Sequence, residues 1–350
     1  MMRLKMTMLG VAAAFLTVIP FAAAQQPAAP APASVAPKVA PGTYPWPQGD
    51  PTGGRSFGGA APTPSNMKRV LIWADTRNGI AQHDMVSHAA AVIEEMGYET
   101  GTYYSYIRTD SNIVSYHPKM TTGQPASGGP SLANVDAIFF LGHREVPIDA
   151  AQKAELLQFV KNGGGLVAAH MALTAFDSWP EWDNLLGGRF DSHPWGQPMA
   201  TVIVEDPDFP GMQFFPQVFS FRDEFYQAKD FSVTDSRVLM RLDPASLDMS
   251  ARGVNPADAP YPITWAKTYG KGRVFYSTFA HDAGTWDNPA VRRMYFGAMQ
   301  WALGLKDADV TPRPVSTTVP PPPTRGGFGR GRGGRGGRPG PGRPGPAAGR

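Results

Sequence analysis

From residue 66 onward, short apolar runs of strand length alternate with longer stretches whose apolar residues fall three and four positions apart. Arg69 to Asp75 (RVLIWAD) is a continuous apolar run, followed by a polar loop and then Val86, Ala89, Ala90, Ile93 and Met96 at helical spacing, with Gly97 as the stop. Glu99 to Tyr104 reads as the next strand. Asp136 to Leu141 reads as a third, apolar throughout as in a parallel strand covered on both faces. Asp149-Ala-Ala-Gln152 matches a capping box opening a helix through Val160, and Gly163 to Gly165 end it before a strand over Leu166 to Ala169. This β-α-β-α-β alternation predicts an α/β fold: a doubly wound, mostly parallel sheet with helices on both faces. Further strands are predicted at Thr201 to Val204, Arg237 to Met240, Ile263 to Trp265 and Arg273 to Thr278. A closing helix starts at Asn288-Pro289 and carries Val291, Met294, Ala298 and Trp301 on one face.

The periodic part is flanked by segments of another kind. Residues 1–24 read as a secretory leader, with Arg3 and Lys5 before an apolar stretch from Met8 to Ala22 and small residues at Ala22 to Ala24. The apolar stretch is short for a bilayer span of about 20 residues and contains Pro20, so a cleavable signal is expected rather than an anchor. Residues 25–65 are a Pro/Ala/Gly-rich linker, too poor in branched apolar residues to offset the entropy of ordering them. Residues 306–350 form a Pro-rich and then Arg/Gly-rich tail. The expectation is one folded domain over 66–305, exported and periplasmic or secreted after cleavage behind Ala24.

Charge changes meaning once these ends are separated. The 350 residues hold 32 Lys+Arg and 29 Asp+Glu, a formal +3. Nine of the cationic residues lie in the leader (Arg3, Lys5) and in the acid-free tail from Arg325 to Arg350, so the remainder carries about −6. An acidic folded part argues against a nucleic-acid-binding core, which needs a basic face. The absence of cysteine excludes disulfides, thiolate metal ligands, iron–sulfur clusters and a Cys nucleophile.

Three literal motifs carry no chemistry in their context. Gly54-Arg-Ser56-Phe-Gly58 spells a nucleophile elbow without a preceding strand, and Gly329, Gly331 and Gly334 spell a dinucleotide fingerprint inside the tail. Gly163 to Gly165 precede a strand instead of following one. The Arg/Gly tail resembles RNA-binding segments. In an exported protein, contact with an anionic membrane or polysaccharide surface, or simple solubilisation, suits it better.

The histidines fall where a parallel sheet puts ligands, just past the carboxyl ends of strands. His83 follows the first strand, His143 the third, His170 the run Leu166 to Ala169, and His281 the run Arg273 to Thr278. His193 lies in the loop Phe190 to Pro194, and Asp223-Glu224-Phe225-Tyr226 adds carboxylates and a phenol. Imidazole with carboxylate serves either a zinc-type site or general acid–base chemistry. No H-E-x-x-H spacing is present, so spacing alone does not establish a metal. His88, on the first helix, and His117, in a polar loop, are weaker candidates. Phe176, Trp179, Trp182, Trp195, Tyr226 and Trp286 are candidates for stacking on sugar rings or for ordinary packing.

Several ordered motifs now resemble one family. They are Gln152 with Val160-Lys-Asn-Gly-Gly-Gly-Leu-Val-Ala-Ala-His170, Gly187-Gly188-Arg-Phe190 with His193-Pro194, Asp223-Glu224-Phe-Tyr226, and Pro262 with Trp265, Gly270-Lys-Gly-Arg-Val-Phe-Tyr276 and His281. Together, from about Arg69 to Leu305, they look like the ThuA-like, trehalose-utilisation family. The resemblance implies a flavodoxin-like α/β domain related to class I glutamine amidotransferases, and disaccharide or keto-sugar catabolism. In those amidotransferases a Cys occupies the strand-to-helix turn. Here that place holds His170, so glutamine hydrolysis through a thioester is not available.

Two function classes remain open from sequence. One is an exported hydrolase or lyase acting on a glycoside or keto sugar. In it His170, Glu224 and His281 are catalytic, and Asp223, Tyr226, Trp179, Trp195 and His83 contact the substrate. His170, His193 and His281 are candidate ligands for a divalent cation such as zinc. The other is a non-catalytic sugar-binding protein using the same pocket. A scaffold tethered through its tail is a third, weaker reading.

Overall fold

The computed structural model describes residues 67–77, 83–126, 129–316 and 318–320. The leader, the linker, the Arg/Gly part of the tail and the decoy glycine motifs at Ser56 and Gly329 lie outside the described residues. Among the described residues, no helix is long and apolar enough to cross a membrane.

The first half is a succession of strand–helix units. β1 (Lys68–Trp73) leads to α1 (Val86–Thr100) and β2 (Tyr103–Arg108); β3 (Ala137–Phe140) leads to α2 (Ala150–Lys161) and β4 (Gly165–Ala169). After α3 (Pro180–Leu186) come β5 (Arg189–Ser192), β6 (Met199–Val204), β7 (Val218–Arg222), β8 (Gln227–Lys229), β9 (Arg237–Leu242), β10 (Pro262–Tyr269) and β11 (Gly272–Ser277). The short α4 (Ala283–Trp286) and α5 (Pro289–Ala302) follow. Nine strands form one sheet in the order β2-β1-β3-β4-β11-β10-β9-β6-β7, and β5 with β8 forms a separate two-stranded ribbon.

The sheet has two halves. β2, β1, β3, β4 and β11 are parallel to one another. From β11 onward every pairing is antiparallel. The parallel half is doubly wound, because strand side chains alternate between faces and each face is covered by helices. Val70, Ile72, Phe139 and Val167 pack with residues of α1, α4 and α5. Leu71, Trp73, Phe140 and Leu166 pack with residues of α2 and α3. Strand order reverses between β1 and β3, which makes the crevice past their ends the expected ligand position.

The local signals that set these elements are specific. The Asp149 side chain accepts from the Gln152 amide at 2.8 Å while Gln152 returns a bond to the Asp149 amide at 3.1 Å, the reciprocal capping box. Asn288 caps α5 through the Ala290 and Val291 amides, with Pro289 at the first helical position. The junction between α1 and the second strand differs from the sequence expectation. Gly97 does not end α1: it lies against the Tyr103 ring, where a side chain would collide. The stop is Gly101, in the left-handed conformation at φ 62°. The second strand is displaced accordingly, to Tyr103–Arg108 in place of Glu99 to Tyr104.

Candidate functional site

Four histidines reach one place from different parts of the chain. β1, β3, β4 and β11 all exit at the same sheet edge, and His83, His143, His170 and His281 each follow one of them. The His83 ring lies 5.1 Å from His143, 4.9 Å from His170 and 4.9 Å from His281 between centroids. Two strand reversals separate β11 from β9 and two more separate β9 from β7, so β7 runs in the same direction as the parallel set. The residues following it, Asp223 to Tyr226, join the cluster.

His170 is the centre of this arrangement. It is fully buried and begins a 3-10 turn directly after β4, with a left-handed φ of 39° that a residue bearing a Cβ adopts only at a cost of about 1–3 kcal/mol. Its Nδ1 lies 2.7 Å from the Thr278 carbonyl, which can only accept, so Nδ1 carries the hydrogen. In the neutral ring the Nε2 lone pair is then free and points into the cluster. Around Nε2 stand Tyr226 Oη at 2.9 Å, His281 Nδ1 at 3.0 Å and Glu224 Oε2 at 3.3 Å.

Electrostatics follow from this crowding. Burial alone would raise the Glu224 carboxyl, but hydrogen bonds and charge from the protonated forms of His170 and His281 outweigh it and hold the carboxyl well below the usual range. Glu224 Oε2 is 3.1 Å from His281 Nδ1, and that bond raises the His281 imidazole. His83 is pushed down to about 3, first by burial and then by the charges of His170, His143 and His281, so it stands neutral with a lone pair to offer. Burial keeps the Tyr226 phenol protonated far above its ordinary range. Burial also raises the Asp223 carboxyl.

His83, His170, Glu224 and His281 each offer a ligand atom, and these atoms lie within 4.8 Å of one another. Small side-chain adjustments would bring atoms this close to about 2.0–2.2 Å from a shared cation, and three imidazoles with one carboxylate is a zinc-type donor set. The grouping differs from the trio expected from sequence. His193 is half exposed and reaches only the other oxygen of the carboxylate, 3.7 Å from Glu224 Oε1. His83 and Glu224 take its place.

Other expected contacts are placed elsewhere. Trp179 is core: it is buried against Phe176 and Trp182, with Lys153 over its ring. Phe176, Trp182 and Trp286 are fully buried as well. Trp195 packs edge-on against Tyr261 and donates to the Asp248 carbonyl. Asp223 is spent on backbone amides, accepting from Ala280 at 2.7 Å, Glu224 at 2.9 Å and His281 at 3.1 Å. His88 pairs with Asp287 away from the cluster. A cavity of about 330 Å³ past the ends of β1 and β2 has His83 in its wall, with Thr76, Asp84, Ser87 and Thr109 adding hydroxyl and carboxyl groups. Reasoning by residue type missed the Thr278 carbonyl and the amides of 280 and 281, since main-chain groups carry no sequence signal.

A family model described as trehalose utilisation, ThuA, matches residues 69–302, about two thirds of the chain. A solved structure from Bacteroides uniformis described as a thua-like protein superposes over 73% of this chain and 99% of its own, with a TM-score of 0.54 and 22% identity. A second, from Parabacteroides merdae, covers 73% of this chain and 94% of its own, with a TM-score of 0.50 and 17% identity. At such identities the likeness establishes the fold and leaves the chemistry to the site. No curated protein matches the chain at a significant level.

Proposed function

Because this chain belongs to the ThuA, trehalose-utilisation family, we propose that it acts on a disaccharide or keto sugar at a cation site built from His83, His170, Glu224 and His281. The observation that carries this reading is the convergence of Glu224 Oε2, His281 Nδ1 and His170 Nε2 within 3.0 to 3.3 Å of one another, with His83 beside them. A divalent cation supplies Lewis-acid polarisation of a carbonyl or glycosidic oxygen, a function that needs no Ser or Cys nucleophile.

The protein's own groups divide the remaining work. His170 keeps its lone pair aimed inward because the Thr278 carbonyl fixes its tautomer. His281 Nδ1 and Glu224 Oε2, 3.1 Å apart, are two of the groups that would hold the cation, so its binding would compete with protons there. The second carboxylate oxygen, Glu224 Oε1, faces the half-exposed His193 at 3.7 Å, so these two groups are placed to pass a proton to or from a substrate at the rim. Tyr226 remains a hydroxyl donor next to His170 and within 3.5 Å of His83. The hydroxyl-bearing wall beside His83 suits a polyol. Export to the periplasm or beyond remains part of this proposal, on the leader sequence alone.

The test is elemental analysis of the full chain purified without a polyhistidine tag, followed by product analysis with trehalose, sucrose and their 3-keto derivatives before and after chelation. The expected result is about one equivalent of divalent metal per chain and turnover lost on chelation and restored by the metal. Full turnover by metal-free protein overturns the cation role. Thermal stabilisation by sugar without any turnover assigns a sugar-binding protein instead.

A further inference from the structure

We infer that Asp223 is the positioning residue of this site, a buried carboxylate that locks together the two chain segments supplying Glu224 and His281. The inference rests on the cation site proposed above and concerns how its geometry is held.

Asp223 is 1% exposed, and its two oxygens take three backbone N–H groups. One belongs to Glu224, the next residue. The other two belong to Ala280 and His281, 57 and 58 positions further along the chain. Ala280 has a left-handed φ of 85°, so the turn leaving β11 is one a residue with a Cβ does not adopt unaided. Its successive amides form a concave pair of donors, and the Asp223 carboxylate fills that concavity as an internal anion. A single side chain therefore fixes where Glu224 begins, where the His281 backbone sits, and the shape of the turn between Thr278 and His281.

That turn also serves His170, because the Thr278 carbonyl accepts the His170 Nδ1 hydrogen. The influence of Asp223 thus reaches three of the four ligands without its side chain entering the ligand set. Groups that orient ligands in this manner typically change metal affinity by 10–100-fold when lost.

The experiment uses the full chain and Co²⁺ as the probe, read by visible absorption, with thermal unfolding measured on the same samples. D223A and D223N are compared with wild type and with V160A, a core truncation in α2 beside the opposite edge of the sheet. Wild type and V160A are expected to bind Co²⁺ alike, although V160A unfolds earlier. D223A is expected to bind roughly 10–100-fold more weakly with altered band intensities, and D223N, which keeps the shape and one acceptor, to fall between. Should D223A not fold, D223N carries the comparison. Wild-type affinity and spectrum in the Asp223 variants overturn the positioning role and leave the cation site standing. Failure of wild type to bind Co²⁺ overturns the cation site; Asp223 is then judged by the ring-nitrogen NMR signals of His170 and His281. Unchanged signals in the variants overturn its role, and displaced or averaged signals support it.

Discussion

In the antiparallel half of the sheet, buried charge is neutralised by opposite charge. Arg237 lies 2.8 Å from Asp206 and Arg241 lies 2.6 Å from Glu205, inside a strand whose six residues are all buried. The same two guanidinium groups also donate to the carbonyls of Thr311 and Thr318, tying down the chain beyond α5. In the histidine cluster, which the carboxylates following β7 share with the exits of the parallel strands, the charges are held differently. Asp223 is held by amides, and Glu224 by imidazoles that can give up their protons. A carboxylate matched to an arginine is finished with, whereas one matched to imidazoles that can lose a proton, or to main-chain dipoles, can still accept a cation. Burial alone does not separate the two; the identity of the neutralising partner does.

The sharpest way to break this contrast is to remove a partner on the finished side. Arg237→Ala leaves Asp206 buried and unpaired and is expected to lower stability by roughly 3–5 kcal/mol while leaving Co²⁺ affinity unchanged. Urea unfolding with an unaltered slope reads the first part and the cobalt titration the second. A change in cobalt affinity comparable to the stability loss would join the two halves into one network.

On the other side the balance is expected to invert. Glu224→Gln keeps the shape but removes the charge, so Co²⁺ affinity should fall by more than about 100-fold, which is about 2.8 kcal/mol. The unfolding midpoint of the metal-free variant should move less than that of Arg237→Ala. A competition titration with a chelator of known affinity measures the first quantity. Retention of wild-type affinity would remove Glu224 from the ligand set.

A milder change checks that fold and site are separable within the parallel half itself. Gly101→Ala forces a Cβ into the left-handed cap of α1 and is expected to destabilise by roughly 1–2 kcal/mol with no effect on cobalt binding. Equal midpoints for variant and wild type would show that the cap relaxes.

The same contrast explains what could be read from residues alone. Parallel strands all leave through one edge, so His83, His143, His170 and His281 were marked by following four such strands, before any distance was known. Glu224 and Tyr226 stood out as a polar run, but nothing in the sequence says that β7 shares the direction of β11, since that depends on counting antiparallel reversals through unread strands. β5 and β7 are short and only partly buried and β8 is three residues long, so none carries a periodicity that the sequence shows. Trp179 illustrates the opposite error. An aromatic near a histidine-rich turn looks like a sugar platform, yet it packs into a cluster with Phe176 and Trp182 whose ring geometry no linear spacing encodes. Gly97 looks like punctuation in the sequence, and its actual constraint is the Tyr103 ring pressed against it.

The backbone at His170 also gives the protein a direction of drift. Glycine occupies a φ of 39° without strain, so replacing His170 relieves the main chain at the moment it empties the centre of the cluster. A laboratory lineage rewarded only for surviving heat would be drawn toward that exchange and become sturdier while losing the ring at the centre of the cluster. A bulky imidazole at so uncomfortable an address is backbone strain placed at the one position from which its ring reaches Tyr226, Glu224 and His281 together.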